Sequence, residues 1–274
     1  MMIEQKLEQV LARNNSLVCV GLDSDIGKLP EHLRKQESPV FTFNKAIVDA
    51  THDLVCAYKP NSAFYEGLGS EGTRQLQMTC DYIRQKYPET VLILDAKRGD
   101  IGTTNVGYVQ FAFDMLGVDA ITLHAYLGQE AMKPFLERTD KACIFLCRTS
   151  NPGAGEFQDL VIDGEPLYLR VARNIATKWN THKNCMLVVG ATYPQELAKV
   201  REIAGDMTFL VPGIGAQGGD IEKTVKAGLN SKNVGMIINS SRGIIFASSD
   251  EDFAQKARSE AKKLVDEINK YRFP

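Results

Sequence analysis

The sequence lacks three features that would place it in other classes of protein. It has no run of roughly eighteen or more apolar residues, so no transmembrane helix is predicted. Its 32 lysines and arginines do not outnumber its 34 aspartates and glutamates, so no binding to nucleic acid is predicted. The N-terminal stretch MMIEQKLEQVLARNN lacks the apolar core of a signal peptide. We therefore predict a cytoplasmic protein without a membrane partner.

The six cysteines also lack the spacing of a metal or redox site. They form no C-x-x-C pair and no cluster with histidine that has zinc-site spacing. All but Cys80, which falls in a helical stretch, lie in or beside apolar, strand-like segments. Free cysteine behaves as a small buried hydrophobic residue. We predict that the cysteines belong to the core and that the protein holds no metal.

Short apolar segments alternate with segments of helical periodicity along the whole chain. Strands are predicted at 17–22, 54–58, 91–94, 120–123, 142–146, 186–189, 208–211 and 235–238. Buried parallel strands have continuous apolar runs of this kind, and strict alternation with helices indicates right-handed crossovers around a parallel sheet. Eight such units in 274 residues have the count and size of a (β/α)8 TIM barrel.

We predict an α/β fold in which one domain, residues 1–274, forms this barrel after an N-terminal helix at about 3–13. An open, doubly wound sheet is the alternative, because periodicity does not show closure. The segment 151–166, NPGAGEFQDLVIDGEP, is predicted to be a loop.

Polar residues follow most of the predicted strands. In a TIM barrel the active site is formed at the C-terminal ends of the strands. The polar residues at these ends are Asp23, Lys59 with Asn61, Asp95 with Lys97, His124, and Thr149 with Ser150. Their convergence on one end of a barrel would form a candidate site.

The stretch Val91–Asp100, VLILDAKRGD, carries the most information. Side chains alternate along a strand, so Asp95 and Lys97 should point to the same side, and Asp100 follows where the chain turns. Charged groups this close together are costly to desolvate unless they are paired. An isolated D-x-K-x-x-D would be interpreted as a surface ion pair, but its place at a strand end favours a functional site.

Two glycine-bearing segments predict a phosphate site. Val211–Asp220, VPGIGAQGGD, contains G-x-G-x-x-G but lacks the later acidic residue of a dinucleotide fold, so we interpret it as a βα loop whose N–H groups bind phosphate. Asn239–Gly243, NSSRG, includes Arg242, which can bind phosphate oxygens. The alternative is two ordinary turns and a surface arginine. Their pairing after strands seven and eight favours a phosphorylated substrate.

Together these motifs resemble those of the orotidine 5'-phosphate decarboxylase family. The resemblance rests on VGLD ending at Asp23, YKPN around Lys59, the D-x-K-x-x-D-I of Asp95–Ile101 with Thr104, the PGIGAQGG loop and Arg242. The segments YKPNSAFYE, RTSNPGAGEFQ and NSSRGI are similar to those of the longer, type 2 branch. The resemblance implies decarboxylation of orotidine 5'-monophosphate to uridine 5'-monophosphate without a cofactor.

The resemblance also implies roles for individual residues. Lys97 would donate a proton to the pyrimidine C6 beside Asp95, and Lys59 would join this charged network. Asp100, with Ile101 and Thr104, would reach into the site of a partner subunit, which implies a homodimer. The remaining substrate contacts would come from Asp23 (ribose, together with Lys59), Asn61, Thr149 and Ser150 (pyrimidine), Gln217 and Arg242 (phosphate), and Pro212 of the glycine-rich loop. No role is implied for His124.

The residues suit that chemistry. Decarboxylation leaves a carbanion at C6, and a fixed ammonium there both stabilises the charge and delivers the proton. Neighbouring aspartates favour a charged Lys97, which argues against a Schiff-base lysine. One alternative is a magnesium-dependent sugar-phosphate lyase of the same suprafamily, which shares the motif and would respond to EDTA. Another is a non-catalytic phosphate-binding barrel, in which intact Asp95, Lys97 and Asp100 would not be expected.

Overall fold

The computed structural model describes residues 3–214 and 220–273, and eight parallel strands form a closed barrel at its centre. The barrel strands are β1 (Val18–Leu22), β2 (Ala57–Pro60), β3 (Val91–Arg98), β4 (Ala120–Leu123), β5 (Ala142–Arg148), β8 (Cys185–Val189), β9 (Phe209–Pro212) and β10 (Met236–Ser240). They follow one another around the barrel in chain order, and β10 pairs with β1. This closure confirms the predicted (β/α)8 TIM barrel and excludes the open sheet.

Helices cover the barrel. They are α1 (Ile3–Asn14), α2 (Glu31–Arg34), α3 (Pro39–Thr51), α4 (Ser62–Glu66), α5 (Gly69–Lys86), α6 (Gly102–Val109), α7 (Gly128–Leu136), α8 (Gly155–Gln158), α9 (Leu167–Asn174), α10 (Pro194–Ala204), α11 (Ile221–Gly228), α12 (Arg242–Ile245) and α13 (Phe253–Arg272). Both α6 and α9 continue into a π-helical turn, at Gln110–Met115 and Ile175–Trp179. Within the described ranges, no helix combines the length and the apolar character needed to cross a membrane.

The strands form the core because their apolar runs are covered on both sides. Every residue of β1, β2, β4 and β8 is buried, as expected for parallel strands enclosed by helices outside and by one another inside. All six cysteines are buried, as predicted, and the described residues contain no disulfide bond between them.

The structure differs from the predicted pattern most clearly in the second strand and in the segment after β5, and β3 and β5 also extend beyond their predicted ends. The second strand was predicted at 54–58 but begins at Ala57. Leu54 and Val55 lie instead in the connection after α3. The predicted loop at 151–166 contains α8 and a hairpin of two short strands, β6 (Val161–Ile162) and β7 (Glu165–Pro166). Its turn, Asp163-Gly164, has positive φ at both residues, and Asp-Gly is typical of such turns.

The C-terminal end of β3 is irregular. Pairing with β4 is in register up to Leu94 and resumes at Arg98. The three residues between them, 95–97, face only Thr122 of β4. Bulges are frequent next to active sites, where they redirect side chains. This one lies at the predicted Asp95 and Lys97.

A buried hydrogen-bond network holds the C-terminal end of β1. Asn44 of α3 accepts from Ser24 Oγ at 2.5 Å and donates to the Tyr65 hydroxyl at 2.9 Å. That hydroxyl in turn donates to the carbonyl of Leu22 at 3.0 Å. Because Leu22 and Ser24 flank Asp23, the network fixes the segment that carries this carboxylate.

Replacing Asn44 by leucine should lower the free energy of unfolding by about 2–3 kcal/mol, because the buried hydroxyls bonded to its amide lose their partner. Urea denaturation followed by circular dichroism measures the change. The control is Thr90→Val, since the buried Thr90 hydroxyl has no hydrogen-bond partner among the described residues. An Asn44→Leu variant as stable as the control would show that the network does not hold this segment.

Candidate active site

A cavity of ≈ 510 Å³ lies at the C-terminal ends of the barrel strands. Its volume is in the range of small-molecule sites. Residues predicted for the site that line the cavity are Asp23, Lys59, Asp95, Lys97, Thr149, Ser150, Pro212 and Arg242. The barrel thus brings together residues that are spread over more than two hundred positions of the sequence.

Four of these residues alternate in charge and are here named the charge array: Asp23, Lys59, Asp95 and Lys97. Lys59 Nζ lies 2.8 Å from Asp95 Oδ2, and Lys97 Nζ lies 2.5 Å from Asp95 Oδ1. Asp23 Oδ1 lies 3.9 Å from Lys59 Nζ. Lys59 and Asp95 are buried, whereas the side chain of Lys97 is 50% exposed. Lys97 is therefore the most exposed member of the array.

The Lys59–Asp95 pair stays ionised although it is buried. Burial alone would raise the pKa of Asp95, but the ammonium groups of Lys59 and Lys97 hold that pKa well below its usual range. Burial alone would lower the pKa of Lys59, but Asp95 and Asp23 raise it above its ordinary value. Removing either partner would leave the other charge buried and uncompensated. The pair thus supplies fixed, oriented charges to the cavity.

Thr122, which was not predicted, completes the contacts of Asp95. Its Oγ1 donates to Asp95 Oδ1 at 2.9 Å and accepts from the backbone N–H of Lys97 at 3.0 Å. Lys97 has a φ of 47°, in the left-handed region that residues with side chains rarely adopt. The feature of the sequence that could have drawn attention to Thr122 is its place as a polar residue within the otherwise apolar run of β4.

Further polar residues for which no individual role was predicted line the cavity, among them Gln158 and Asn239. Gln158 of α8 accepts from the Thr149 backbone N–H at 2.8 Å and so holds the segment after β5. Asn239 of β10 has a buried Oδ1 with no partner among the described residues, and the same is true of Asp23 Oδ1. Buried acceptors without a partner are costly unless a ligand supplies the donor. These two oxygens mark positions where ligand O–H or N–H groups would bind.

Several predicted residues do not line the cavity of this chain. The side chain of Asn61 caps α4, where its Oδ1 accepts from Ala63 N at 3.2 Å, so its contact with substrate stays a prediction. Asp100, Ile101 and Thr104 lie beyond the bulge at the start of α6, and Ile101 and Thr104 are exposed.

The turn that carries Asp100 is held on both sides. Asn105 accepts from Asp100 N at 3.0 Å and donates to the carbonyls of Asp100 and Ala131 at 2.6 and 2.7 Å. On the other side, the ring of His124 approaches Gly99 so closely that a Cβ there would lie 2.9 Å from it. His124 therefore forms part of the wall around this turn.

The structure describes only part of the predicted phosphate site. Pro212 pairs with Asn239 across β9 and β10, so the two glycine-bearing segments leave the barrel side by side. Arg242 lines the cavity at the start of α12 and is exposed. The predicted Gln217 lies outside the described residues.

Residues 3–214 and 220–273 contain no group of three histidine, cysteine, aspartate or glutamate side chains placed to hold a metal ion. The two carboxylates that line the cavity, Asp23 and Asp95, both lie next to Lys59. The positive charge that lies between these two carboxylates is the ammonium group of Lys59.

Comparison with known proteins identifies the family. The profile of the orotidine 5'-phosphate decarboxylase / HUMPS family matches residues 16–257. The orotidine 5'-phosphate decarboxylase of Janthinobacterium sp. (strain Marseille) is 49% identical over 267 residues, which are 97% of this chain and 98% of that protein. These matches confirm the resemblance seen in the motifs.

Solved structures agree with the sequence matches. The structure of Leishmania donovani OMP decarboxylase superposes with a TM-score of 0.88 at 38% identity, covering 100% of both chains. That of Leishmania donovani UMP synthase gives 0.89 at 39% identity, where this chain is covered entirely and spans 57% of the longer chain. The chain belongs to the orotidine 5'-phosphate decarboxylase / HUMPS family.

Proposed function

We propose that this protein is a carboxy-lyase that converts orotidine 5'-monophosphate to uridine 5'-monophosphate, the last step of de novo pyrimidine synthesis. The observation that carries the proposal is the charge array, in which Lys59 and Lys97 engage the two oxygens of Asp95 inside a cavity of nucleotide size. Relatives that match nearly the whole chain are named for this reaction.

The cavity offers partners for each part of the nucleotide. A ribose hydroxyl would donate to Asp23 Oδ1, which is buried without a partner among the described residues, and Lys59 lies beside it. By their positions on the cavity, we assign the phosphate to Pro212 and Arg242 and the pyrimidine edge to Thr149 and Ser150. Gln217 is assigned to the phosphate from the sequence motif alone. The reacting carbon would then lie near Lys97, the exposed member of the charge array.

Lys97 would carry the chemical step. The bond between C6 and the carboxylate breaks, carbon dioxide leaves, and the electron pair remains on C6. The Lys97 ammonium stabilises this charge and transfers its proton to C6, and the resulting amine regains a proton from solvent. Asp95 Oδ1 pairs with this ammonium, and Lys59 holds the other oxygen of the same carboxylate, so the Lys97 side chain is kept in place. No step of this reaction uses a metal or an organic cofactor.

Phosphate binding would support this step from a distance. Arg242 and the glycine-rich loop contact a group that does not react, so their binding energy serves to hold the pyrimidine against Lys97. The two segments that would bind phosphate follow adjacent strands, and Pro212 and Arg242 from them line the same cavity as the charge array.

We further propose a homodimer in which Asp100, with Ile101 and Thr104, completes the partner's site. None of the three lines the cavity of its own chain. The surface around α6 and the loop before α7 exposes large apolar side chains, as interaction surfaces do, namely Ile101, Val106, Met115, Tyr126 and Leu127. A cytoplasmic location stays a prediction from the sequence.

Lys97→Ala should lower kcat for orotidine 5'-monophosphate by roughly 10⁴-fold or more, because both the proton donor and the positive charge are lost. Absorbance measures the turnover, and calorimetry should show that uridine 5'-monophosphate still binds. Lys262→Ala, at an exposed lysine of α13, is the control and should match the wild type. Near-normal turnover of Lys97→Ala would remove the proposed proton donor.

Arg242→Ala should lower kcat/KM for orotidine 5'-monophosphate by roughly 10- to 100-fold, because an ionic hydrogen bond to phosphate is lost. The value for the nucleoside orotidine should change little, since it has no phosphate. Arg74→Ala, at an exposed arginine of α5, serves as the matched control. Equal losses for nucleotide and nucleoside would contradict the phosphate assignment.

Mixing Lys97→Ala and Asp100→Ala subunits should restore about a quarter of wild-type activity, because half of the dimers are hybrids with one unaltered site. Mixing Lys97→Ala with Asp95→Ala is the control and should restore nothing, since both residues come from the same chain. Hybrid dimers are verified by two affinity tags. The same recovery in both mixtures, or in neither, would argue against a site shared through Asp100.

A further inference from the structure

Thr122 lies where β3 departs from regular pairing with β4. It is 1% exposed, lines the cavity, and is the one β4 residue that faces residues 95–97 of β3. In regular parallel pairing, strand amides donate to the carbonyls of the neighbouring strand. Here the amide of Lys97 donates to the Thr122 hydroxyl at 3.0 Å. The side chain thus replaces a backbone acceptor at the bulge.

The same hydroxyl contacts Asp95. A hydroxyl has one proton to donate and two lone pairs to accept with, whereas an ionised carboxylate only accepts. The proton of Thr122 therefore goes to Asp95 Oδ1, 2.9 Å away, and a lone pair takes the Lys97 N–H. One side chain fixes both the carboxylate and the backbone of the lysine that pairs with it.

Asn61 pairs with β3 at Asp95, and β4 pairs with it again at the residue after Lys97. Between these points the position of Lys97 is set locally. Its φ of 47° is unfavourable for a residue with a Cβ, so the turn needs support from its surroundings. Its side chain is 50% exposed, and packing alone does not hold it. The place of its ammonium depends on the backbone turn and on Asp95 Oδ1, and Thr122 contacts both.

We propose that Thr122 is a positioning residue for the proton donor: its hydroxyl holds the β3 bulge so that the Lys97 ammonium points into the cavity beside Asp95. This inference rests on the proposed function of Lys97. The Lys59 contact to Asp95 Oδ2 does not involve Thr122, so loss of the hydroxyl would leave that ion pair in place. What changes is the direction of Lys97.

A packing role for Thr122 would give the opposite expectation. Valine has the shape of threonine without the hydroxyl, whereas serine keeps the hydroxyl and lacks the methyl group. If the hydroxyl positions Lys97, Thr122→Val loses activity and Thr122→Ser retains it. If the methyl group matters because it fills the core, the order of the two variants reverses.

The first measurement is kcat and KM for orotidine 5'-monophosphate. We expect kcat of Thr122→Val to fall about 10- to 100-fold, with KM and the serine variant within about threefold of the wild type, because a displaced reacting group lowers the rate more than the binding. Thr90→Val makes the same change just before the other end of β3, where the hydroxyl has no partner among the described residues. It should match the wild type.

The second measurement follows Lys97 directly. In deuterium oxide, the same group should exchange the C6 hydrogen of uridine 5'-monophosphate, which proton NMR detects. Thr122→Val should slow this exchange by the same factor as kcat while nucleotide binding is unchanged. If circular dichroism shows that Thr122→Val does not fold, Thr122→Ala replaces it with the same expectations.

A hydroxyl-free variant with wild-type kcat and exchange would overturn the role of Thr122. So would valine and serine variants that lose activity equally. If the wild type does not convert orotidine 5'-monophosphate at all, the proposed function fails together with this role. An active wild type beside an unaffected valine variant overturns the role of Thr122 alone.

Discussion

The buried ion pair between Lys59 and Asp95 constrains both the barrel and the site. Lys59 comes from β2 and Asp95 from β3, so the two charges meet only when these neighbouring strands pair in the observed register. Either charge without the other would be buried and uncompensated, which is costly. The barrel therefore reaches its low-energy form only with the array assembled. The arrangement places two fixed ammonium groups around one carboxylate, beside a cavity of nucleotide size.

The irregular backbone at the end of β3 places a third charged group, Lys97, next to this ion pair. A regular strand would continue its ladder with β4, but the bulge at 95–97 interrupts it and places Lys97 at a positive φ. Beyond the bulge, the turn at Gly99 packs against His124, and Asn105 holds the backbone of Asp100. The motif D-x-K-x-x-D therefore points in two directions: Asp95 and Lys97 face the cavity of this chain, and Asp100 lies outside it. The proposed site shared between subunits would account for that division.

The sequence predicted the fold and the charged residues of the cavity because these follow from local patterns. Eight apolar runs with helices between them indicate the barrel, and strand alternation alone predicts that Asp95 and Lys97 share a side.

Thr122 could not be found in this way, because its role depends on a register shift between two strands. Asn61 shows that a polar residue at a strand end can also cap the next helix, and its contact with substrate stays a prediction. The hairpin at Asp163-Gly164 had a local signal in its turn, but lies outside the alternating pattern.

We attribute decarboxylation to the protein's own ammonium groups, so the most direct test is the dependence of the reaction on divalent cations. The measurement is the rate at which the wild-type enzyme consumes orotidine 5'-monophosphate, followed by ultraviolet absorbance, with EDTA and with added magnesium. We expect the same rate in both conditions. A rate that EDTA abolishes and magnesium restores, or activity only toward sugar phosphates, would contradict this attribution and would assign the charge array to a metal-dependent lyase.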